Sequence, residues 1–433
     1  MVGGYFHQGR HRDRVTFELF VRELPPHRRY LLFAGLDRIV TYLTELRFAP
    51  DELDYLAQIP ALEAAMTRGF RRYLSDFRFT GDVWGLPEGS VFFAGEPVLR
   101  VSGPLAEVQL VETYLLSVVN SEALVASKAA RVVAAAGDAP VLEFGSRRTS
   151  PEEAIRTARA AYVAGFASTS NVEAGRRYGI PVSGTAAHAW TLAFGSEREA
   201  FEAQVEVYGP EGAILLVDTY DTLQGVRNAI AVAPERLGGI RLDSGDLERL
   251  AHQARALLDD AGLTSTRIVA SGDLDEYEID RLTRAGAPID AWGVGTRLVR
   301  STDAPHLGGV YKLTYHDAMG EPRMKTSPGK GTKPGHHQVY RVIRDGLFAH
   351  DWVGLDGEAL QDAAPVLIPL LEGGQAVCDA VDLEVSRARA REQLAALPSR
   401  LHGLGDEPEA YEVRTTDGLS QLMASTPTGD HPS

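Results

Sequence analysis

Between residues 137 and 300 the chain alternates short apolar runs with segments long enough to form amphipathic helices. Buried strands separated by helical connections are typical of parallel sheets built from βα units. The runs are VLEF, GFAS, IPVSG, AILLVD, GIRLD, RIVAS and IDAWGV, and GGVYKLTY is a candidate eighth strand. Seven or eight such units predict an α/β barrel rather than an open sheet.

The regions that flank this block show other patterns of apolar and polar residues. Residues 1–104 mix strand-like and helix-like patterns, which predicts an N-terminal α+β domain. Residues 105–136 follow helical spacing and are predicted to form one long helix at the start of a barrel domain that spans residues 105–335. We expect residues 336–433 to pack back on the N-terminal domain, with a disordered tail from about residue 424.

Composition narrows the class of protein. The formal net charge of −15 makes a nucleic-acid partner unfavourable, because phosphate backbones require a basic face. No run approaches the roughly 18 apolar residues that a membrane helix needs, and the first residues lack the apolar core of a signal peptide. The single cysteine, Cys378, cannot form an internal disulfide and indicates a reducing, cytoplasmic compartment.

Residues that can carry chemistry follow the predicted strands. The strand ends read FGSRRTS, SGTAAHAW, VDTYD, RLDSGDL, ASGDLDE and GVGTRLV. The carboxyl ends of parallel barrel strands meet at one face, where the βα loops of such enzymes build the active site. We therefore predict the active site at this face.

The RLDSGDL segment is the most informative of these. Arg241 and Asp243 lie two apart on a strand and therefore face the same side. Arginine can bind phosphate with two hydrogen bonds, and the carboxylate can accept from sugar hydroxyls. The alternative is a helix cap by Asp243 or Ser244 with Asp246 in the first turn, which explains Arg241 poorly.

The FGSRRTS segment precedes a strong helix start. Ser150 as N-cap, Pro151 at the first helical position and Glu153 at the capping-box position indicate a structural role. Arg147 and Arg148 come directly before this cap, and an arginine pair at a strand end of an acidic protein suggests anion capture. A solvated surface position is the alternative for Arg148.

Two further motifs are ambiguous by themselves. GVGT can bring backbone N–H groups close to an anion at a helix start, or it can be an ordinary βα turn. His188 has Asp218 at the next strand end as a candidate partner that fixes its tautomer, although an isolated histidine more often packs or caps. The sequence has no HExxH, Cys/His cluster or Walker A motif, so neither a zinc site nor a P-loop is indicated.

Together these motifs resemble the nicotinate phosphoribosyltransferase family, and the resemblance covers about residues 5–341. It implies the irregular α/β barrel of type II phosphoribosyltransferases, beside an N-terminal domain completed by C-terminal segments. It also implies a homodimer that joins nicotinate to 5-phosphoribosyl-1-pyrophosphate, giving nicotinate mononucleotide and pyrophosphate in NAD biosynthesis. Mg²⁺ and coupled ATP hydrolysis belong to the same implied activity.

The resemblance also implies roles for individual residues. His188 would be the autophosphorylated histidine, with Asp218 and Asp243 beside it in the catalytic set. Phe144 would stack on the pyridine ring and Arg147 would bind the substrate. Ser170 stands where nicotinamide-using relatives carry an aspartate, so we expect the chain to prefer nicotinate. The implied ribose-phosphate contacts are Arg241, Asp243, Gly272, Gly293 and Thr296.

The chain departs from the family pattern in two places. Family members usually open with an aromatic segment that stacks on the ring, and Met1 falls just after its expected position. Gly272 stands where many members have asparagine. The alternatives are a phosphoribosyltransferase that uses nicotinamide or quinolinate, and a truncated, inactive paralogue that binds a mononucleotide.

Overall fold

The computed structural model describes residues 1–327, 329–377, 382–405 and 410–427. The chain forms two compact units, one from residues 1–124 and 306–433 and the other from residues 125–305. The sequence predicted the boundaries at 104/105 and 335/336 instead. Cys378 and residues 428–433 of the predicted tail lie outside the described residues, and residues 424 and 425 belong to a helix.

The described strands lie in four sheets. In chain order they are β1 (Arg14–Val21), β2 (Leu31–Leu32), β3 (Asp82–Gly85), β4 (Val91–Phe92), β5 (Pro97–Pro104), β6 (Val141–Glu143), β7 (Ser168–Thr169), β8 (Ile214–Leu216), β9 (Gly239–Leu242), β10 (Arg267–Ala270), β11 (Ala291–Val294), β12 (Gly309–His316), β13 (Glu321–Pro322), β14 (His337–Arg344), β15 (Leu347–Leu355), β16 (Ala363–Pro365), β17 (Ile368–Glu372), β18 (Gln375–Ala376) and β19 (Val413–Thr415).

The α-helices of the described residues follow in the same way. They are α1 (Val2–His7), α2 (Leu36–Glu45), α3 (Pro50–Gln58), α4 (Arg68–Ser75), α5 (Leu105–Leu110), α6 (Glu112–Val118), α7 (Leu124–Ala136), α8 (Pro151–Val163), α9 (Val172–Tyr178), α10 (His188–Leu192), α11 (Glu197–Tyr208), α12 (Thr222–Val232), α13 (Leu247–Asp260), α14 (Glu276–Arg284), α15 (Thr296–Val299), α16 (Leu383–Ala395) and α17 (Asp417–Ser425). None of the described helices is long and apolar enough to cross a membrane.

The unit of residues 125–305 holds a six-stranded parallel sheet in the order β7-β6-β11-β10-β9-β8. A parallel bridge between Thr169 and Val182 extends it by one position. This order is the cyclic order of a barrel, and the prediction of an α/β fold with a parallel sheet is confirmed. Among the residues of this unit, no hydrogen-bonded strand pair joins the Val182 segment to β8, so the ring is interrupted there.

The predicted eighth barrel strand belongs elsewhere. GGVYKLTY forms β12, which pairs antiparallel with β1 in the other unit. There β12 is part of a seven-stranded sheet in the order β13-β12-β1-β5-β3-β17-β18. The side chain of Tyr311 on β12 stacks on Phe17 of β1, with ring centroids 5.0 Å apart, so burial of this apolar face decides the pairing. This pairing accounts for the shifted boundary at residue 305.

The predicted single helix of residues 105–136 is wrong as a continuous α-helix. It divides into α5, α6, a π-helical segment Val119–Ala123, and α7. Helical periodicity alone does not report the extra residue that a π-helical turn inserts. The apolar face is nevertheless continuous, since Val108, Val111, Leu115 and Val118 are all buried.

Candidate active site

The parallel sheet brings four of the predicted loops to one edge. Phe144 follows β6, Asp218 follows β8, Asp243 follows β9 and Ser271 follows β10. Because β9 lies between β8 and β10, Asp243 has neighbours on both sides. The carboxyl ends of the strands therefore assemble the polar residues that the sequence placed there.

Arg241 is the centre of a hydrogen-bond network at this edge. Its Nε donates to Ser271 Oγ at 2.7 Å, its Nη1 to Thr185 Oγ1 at 2.7 Å and its Nη2 to Asp243 Oδ1 at 2.6 Å. The side chain is only 16% exposed. Three fixed acceptors hold the planar guanidinium in one orientation, so the positive charge is in place before any anion binds.

Asp243 is held as a carboxylate by its neighbours. Burial raises the pKa of Asp243, but the hydrogen bond from Ser271 and the nearby Arg241 guanidinium outweigh it, and the pKa lies below its ordinary value. Its Oδ1 accepts from Ser271 Oγ at 2.5 Å and from Arg241. Its Oδ2 lies 3.7 Å from His188 Nε2, so this oxygen remains as an acceptor at the site.

His188 begins α10 and is 40% exposed. Its Nδ1 lies 3.2 Å from Thr219 Oγ1, which is a hydrogen-bond distance. Its Nε2 lies 3.9 Å from Asp218 Oδ1. The distance to Asp218 is too long for a direct hydrogen bond, and the group within hydrogen-bond reach of the imidazole is the hydroxyl of Thr219. The role of Asp218 as the partner that fixes the tautomer stays a prediction.

Asp218 is buried at the end of β8, with its side chain only 1% exposed. Its Oδ2 accepts from the backbone N–H of Asp243 at 2.9 Å and from Ser244 Oγ at 2.6 Å. Its Oδ1 has no hydrogen-bond partner in the described structure. The alternative of a helix cap by Asp243 or Ser244 does not hold, since Asp246 is the N-cap of α13 and accepts from Arg249 N.

Phe144 lies half-buried beside the arginine network. The Arg241 guanidinium carbon is 5.5 Å from the centroid of its ring, a cation–π distance. The backbone of Phe144 donates to Val294 O at 2.8 Å. Gly293 of β11 lies directly against the ring, because a Cβ built there would stand 2.6 Å from Phe144 Cε2.

Gly272 has a structural reason to be glycine. Its φ is +102°, a left-handed conformation that side chains rarely adopt, and a Cβ there would stand 2.1 Å from Asp243 O. The loop after β10 therefore crosses directly over the backbone of the β9 loop. Asparagine at this position, as in the family pattern, would require a different local backbone.

Sequence reasoning missed the residues that hold the loop after β6. Glu143 is buried and accepts from Thr169 Oγ1 at 2.6 Å and from the backbone N–H of Gly145. Burial raises the pKa of Glu143, and these hydrogen bonds only partly oppose it. Asn171 caps α9 and donates to Ser146 Oγ at 3.1 Å. An acidic residue at the end of an apolar strand was the signal available for Glu143.

The described residues contain no group of three or more histidine, cysteine, aspartate or glutamate side chains that could hold a metal ion. Asp218 and Asp243 are the carboxylates nearest to His188. Two carboxylates suit a Mg²⁺ ion that arrives with substrate phosphates, since Mg²⁺ is commonly bound in that way rather than by a protein cage.

Comparison with known proteins gives matches over most of the chain. The model of the nicotinate phosphoribosyltransferase N-terminal domain matches residues 1–120, and that of the nicotinate phosphoribosyltransferase family matches residues 140–325. The chain belongs to the nicotinate phosphoribosyltransferase family. It is therefore a glycosyltransferase of NAD biosynthesis, and the predicted family and enzyme class are confirmed.

Members of the nicotinate phosphoribosyltransferase family from two bacteria are close in sequence. The Mycobacterium tuberculosis protein is 45% identical over 418 residues, covering 95% of this chain and 88% of its own. The Bacillus subtilis protein is 43% identical over 375 residues, covering 84% and 75%. The crystal structure of human nicotinic acid phosphoribosyltransferase matches with a TM-score of 0.83 and 29% identity over 98% of both chains.

The other residues that the family resemblance selected lie on the same loops. Arg148 Nε donates to Thr296 Oγ1 at 3.2 Å, so Arg148 is not merely a solvated residue. Arg147 is exposed and has no hydrogen bond or ion pair with the described residues. Ser170 is exposed, and its backbone N–H donates to Glu143 O at 2.9 Å. The roles that the resemblance implied for these residues stay predictions.

Proposed function

We propose that this enzyme joins nicotinate to 5-phosphoribosyl-1-pyrophosphate and couples the reaction to ATP hydrolysis through His188. The observation that carries the proposal is the network of Arg241, Asp243 and Ser271 beside His188 and Phe144 at the strand ends. It offers an anion-binding cation, a sugar-binding carboxylate, a nucleophile and an aromatic face in one place.

The base would stack on the ring of Phe144. An aromatic pair contributes about 0.5–1.5 kcal/mol beyond the burial of area, which favours a pyridine ring over an aliphatic acid. Arg147 is exposed on the next turn, and its guanidinium suits the carboxylate of nicotinate with two hydrogen bonds. The neutral hydroxyl of Ser170 repels no carboxylate, whereas an aspartate there would oppose nicotinate.

The sugar phosphate would be held by the strand-end network. Arg241 supplies a fixed positive charge for the 5-phosphate, and Asp243 Oδ2 is the acceptor for ribose hydroxyls. The backbone N–H groups at Gly272, Gly293 and Thr296 would supply the remaining contacts to the phosphate. Asp243 remains ionised at neutral pH because of Ser271 and Arg241.

The chemical step needs orientation and charge stabilisation. When pyrophosphate leaves C1, the sugar develops oxocarbenium character and the pyridine nitrogen forms the new bond with its lone pair. No general base is needed, because this nitrogen carries no proton to remove. The guanidinium of Arg241 stabilises the negative charge of the phosphate, and the carboxylate of Asp243 stabilises the positive charge that develops on the sugar. Both side chains are already held in place, so neither has to reorient during the step.

His188 would couple the reaction to ATP. A neutral imidazole nitrogen can attack the γ-phosphate, forming an N–P bond while ADP leaves. The phosphohistidine then adds nearly two negative charges beside Asp218 and Asp243. Its hydrolysis during each cycle supplies the free energy that favours synthesis.

Mg²⁺ fits the donor set that Asp218 and Asp243 provide. The buried Asp218 Oδ1 lacks a hydrogen-bond partner in the described structure, which makes it a candidate ligand. When bound, the ion would supply positive charge that stabilises the departing pyrophosphate.

The expected homodimer and cytoplasmic location are part of the same proposal. The dimer rests on the family resemblance, in which the active sites lie near the subunit interface. The cytoplasmic location rests on the single cysteine, which cannot form an internal disulfide and indicates a reducing compartment.

The test is a steady-state assay with nicotinate, 5-phosphoribosyl-1-pyrophosphate and Mg²⁺, with and without ATP. We expect nicotinate mononucleotide and pyrophosphate in both cases, with ATP hydrolysed and the yield raised when ATP is present. Nicotinamide and quinolinate in place of nicotinate give the competing outcomes. Product from either of them at an equal kcat/KM, or no product from any base, would overturn the proposal.

A further inference from the structure

Gly293 is placed against a ring rather than open to a ligand. A Cβ built on Gly293 would stand 2.6 Å from Phe144 Cε2 and 2.7 Å from Phe144 Cδ2. Carbon atoms in favourable contact lie about 3.5–4.0 Å apart, so even a methyl group would overlap the ring. The absence of a side chain at this position therefore determines where the ring can lie.

The backbone of Phe144 is held in place, so the whole residue cannot move away from position 293. Phe144 N donates to Val294 O at 2.8 Å, which fixes the chain at the end of β6 against β11. A Cβ on Gly295 would stand 2.8 Å from Phe144 O, so this side of the backbone is also closely packed. A methyl group at residue 293 would thus be relieved by rotation of the Phe144 side chain.

A second neighbour is less constrained. The same Cβ would stand 3.2 Å from Ser271 Cβ, a tight contact that a shift of a few tenths of an ångström relieves. Ser271 belongs to the network of Arg241 and Asp243, and those hydrogen bonds oppose its movement. The larger displacement falls on the Phe144 ring.

We infer that Gly293 is a positioning residue that seats the Phe144 ring at the depth where a pyridine base can stack on it. The inference rests on the proposed function and deepens it, because the family resemblance gives Gly293 only a phosphate contact. With a side chain at this position, the ring rotates into the space of the base. Base binding then weakens while the strand-end network keeps its phosphate-binding groups.

The test compares Gly293→Ala with Phe144→Ala, their double variant and the control Gly308→Ala. A Cβ on Gly308 meets nothing within 4 Å, so this control introduces the same methyl group into open space. Each purified full-length variant is checked by circular dichroism and thermal denaturation. KM for nicotinate and KM for 5-phosphoribosyl-1-pyrophosphate are then measured separately.

We expect Gly293→Ala to raise KM for nicotinate about tenfold, the cost of one lost stacking face, and KM for 5-phosphoribosyl-1-pyrophosphate less than about threefold. In the Phe144→Ala background the added methyl group should change KM for nicotinate no further, since the ring it displaces is gone. A larger rise in KM for the sugar phosphate, or additive effects in the double variant, would overturn the inference.

The outcomes also separate the inference from the proposed function. If Phe144→Ala raises KM for nicotinate and Gly293→Ala does not, the stacking role stands and the seating role of Gly293 fails. If neither variant changes KM for nicotinate, the proposed base site itself is wrong. Should Gly293→Ala fail to fold, the double variant lacks the ring that the methyl group meets and should fold; a double variant that also fails to fold would overturn the inference.

Discussion

Replacing Arg241 by lysine is the sharpest perturbation of the strand-end network. The guanidinium donates to three different acceptors, Ser271, Thr185 and Asp243, from three nitrogens. The lysine ammonium keeps the positive charge, but all of its N–H groups are on one nitrogen. It therefore cannot reach the three acceptors that surround the planar guanidinium. Arg241→Lys therefore tests geometry separately from charge.

The size of the expected loss of kcat/KM in Arg241→Lys follows from the lost hydrogen bonds. A hydrogen bond that involves a charged group contributes about 1.5–3 kcal/mol, and the substitution removes at least one of the three while loosening the others. A cost of about 2–4 kcal/mol in transition-state stabilisation corresponds to about 30- to 1000-fold in kcat/KM for 5-phosphoribosyl-1-pyrophosphate. KM for nicotinate should change far less, since the ring of Phe144 remains.

The assay is initial-rate kinetics with one substrate varied at a saturating level of the other. Arg249→Lys is the matched control, because Arg249 is an exposed helical residue that donates to Gln253 one turn away. Its kinetics should equal those of the unsubstituted enzyme. If folded Arg241→Lys keeps kcat/KM for the sugar phosphate within about threefold, the preorganised guanidinium does not contribute as argued.

Three further outcomes are expected. His188→Ala should abolish ATP hydrolysis and the incorporation of label from γ-labelled ATP, while some ATP-independent transfer persists; label on another residue would refute the assignment. Ser170→Asp should lower the ratio of kcat/KM for nicotinate to that for nicotinamide by like-charge repulsion, whereas Ser170→Ala should not, and an unchanged ratio would rule out this role. Because the pKa of Asp243 is held below its ordinary value, its stabilising contribution is complete above the unfolded-state pKa of about 3.9 and is lost as the pH falls through the lower folded-state pKa. The difference in urea midpoint between the unsubstituted enzyme and Asp243→Asn should therefore shrink below about pH 4, and a constant difference would contradict the ionised state.

The location of the site could be predicted from the sequence because parallel strands end at one edge. Arg241 and Asp243 were placed on one side by their spacing, and the structure brings them within 2.6 Å. The cap of α8 was also predictable, since Ser150 accepts from Glu153 N at 3.2 Å. In both cases the information is local, within a strand or one helical turn.

The contacts that the sequence did not predict are those between loops. Which side chain reaches His188 depends on whether Asp218 turns toward the imidazole ring or toward Ser244. The spacing of these residues along the sequence does not distinguish the two orientations. The assignment of β12 to the parallel sheet was wrong for a similar reason, because an apolar strand pattern does not specify which other strand it pairs with. Tertiary packing against β1 decided it.

The return of β12 to β1 has a consequence for synthesis on the ribosome. β1 is complete early, yet its partner β12 begins about 290 residues later in the chain. At about 5–20 residues per second this interval is about 15–60 s, during which one edge of β1 has no native strand beside it. In the segment 125–305 the longest such wait is about half as long, because β6 pairs with β11, which begins about 150 residues later. Nascent chains stalled before residue 306 should therefore engage chaperones at β1, a contact that cross-linking would detect and that should vanish once β12 emerges.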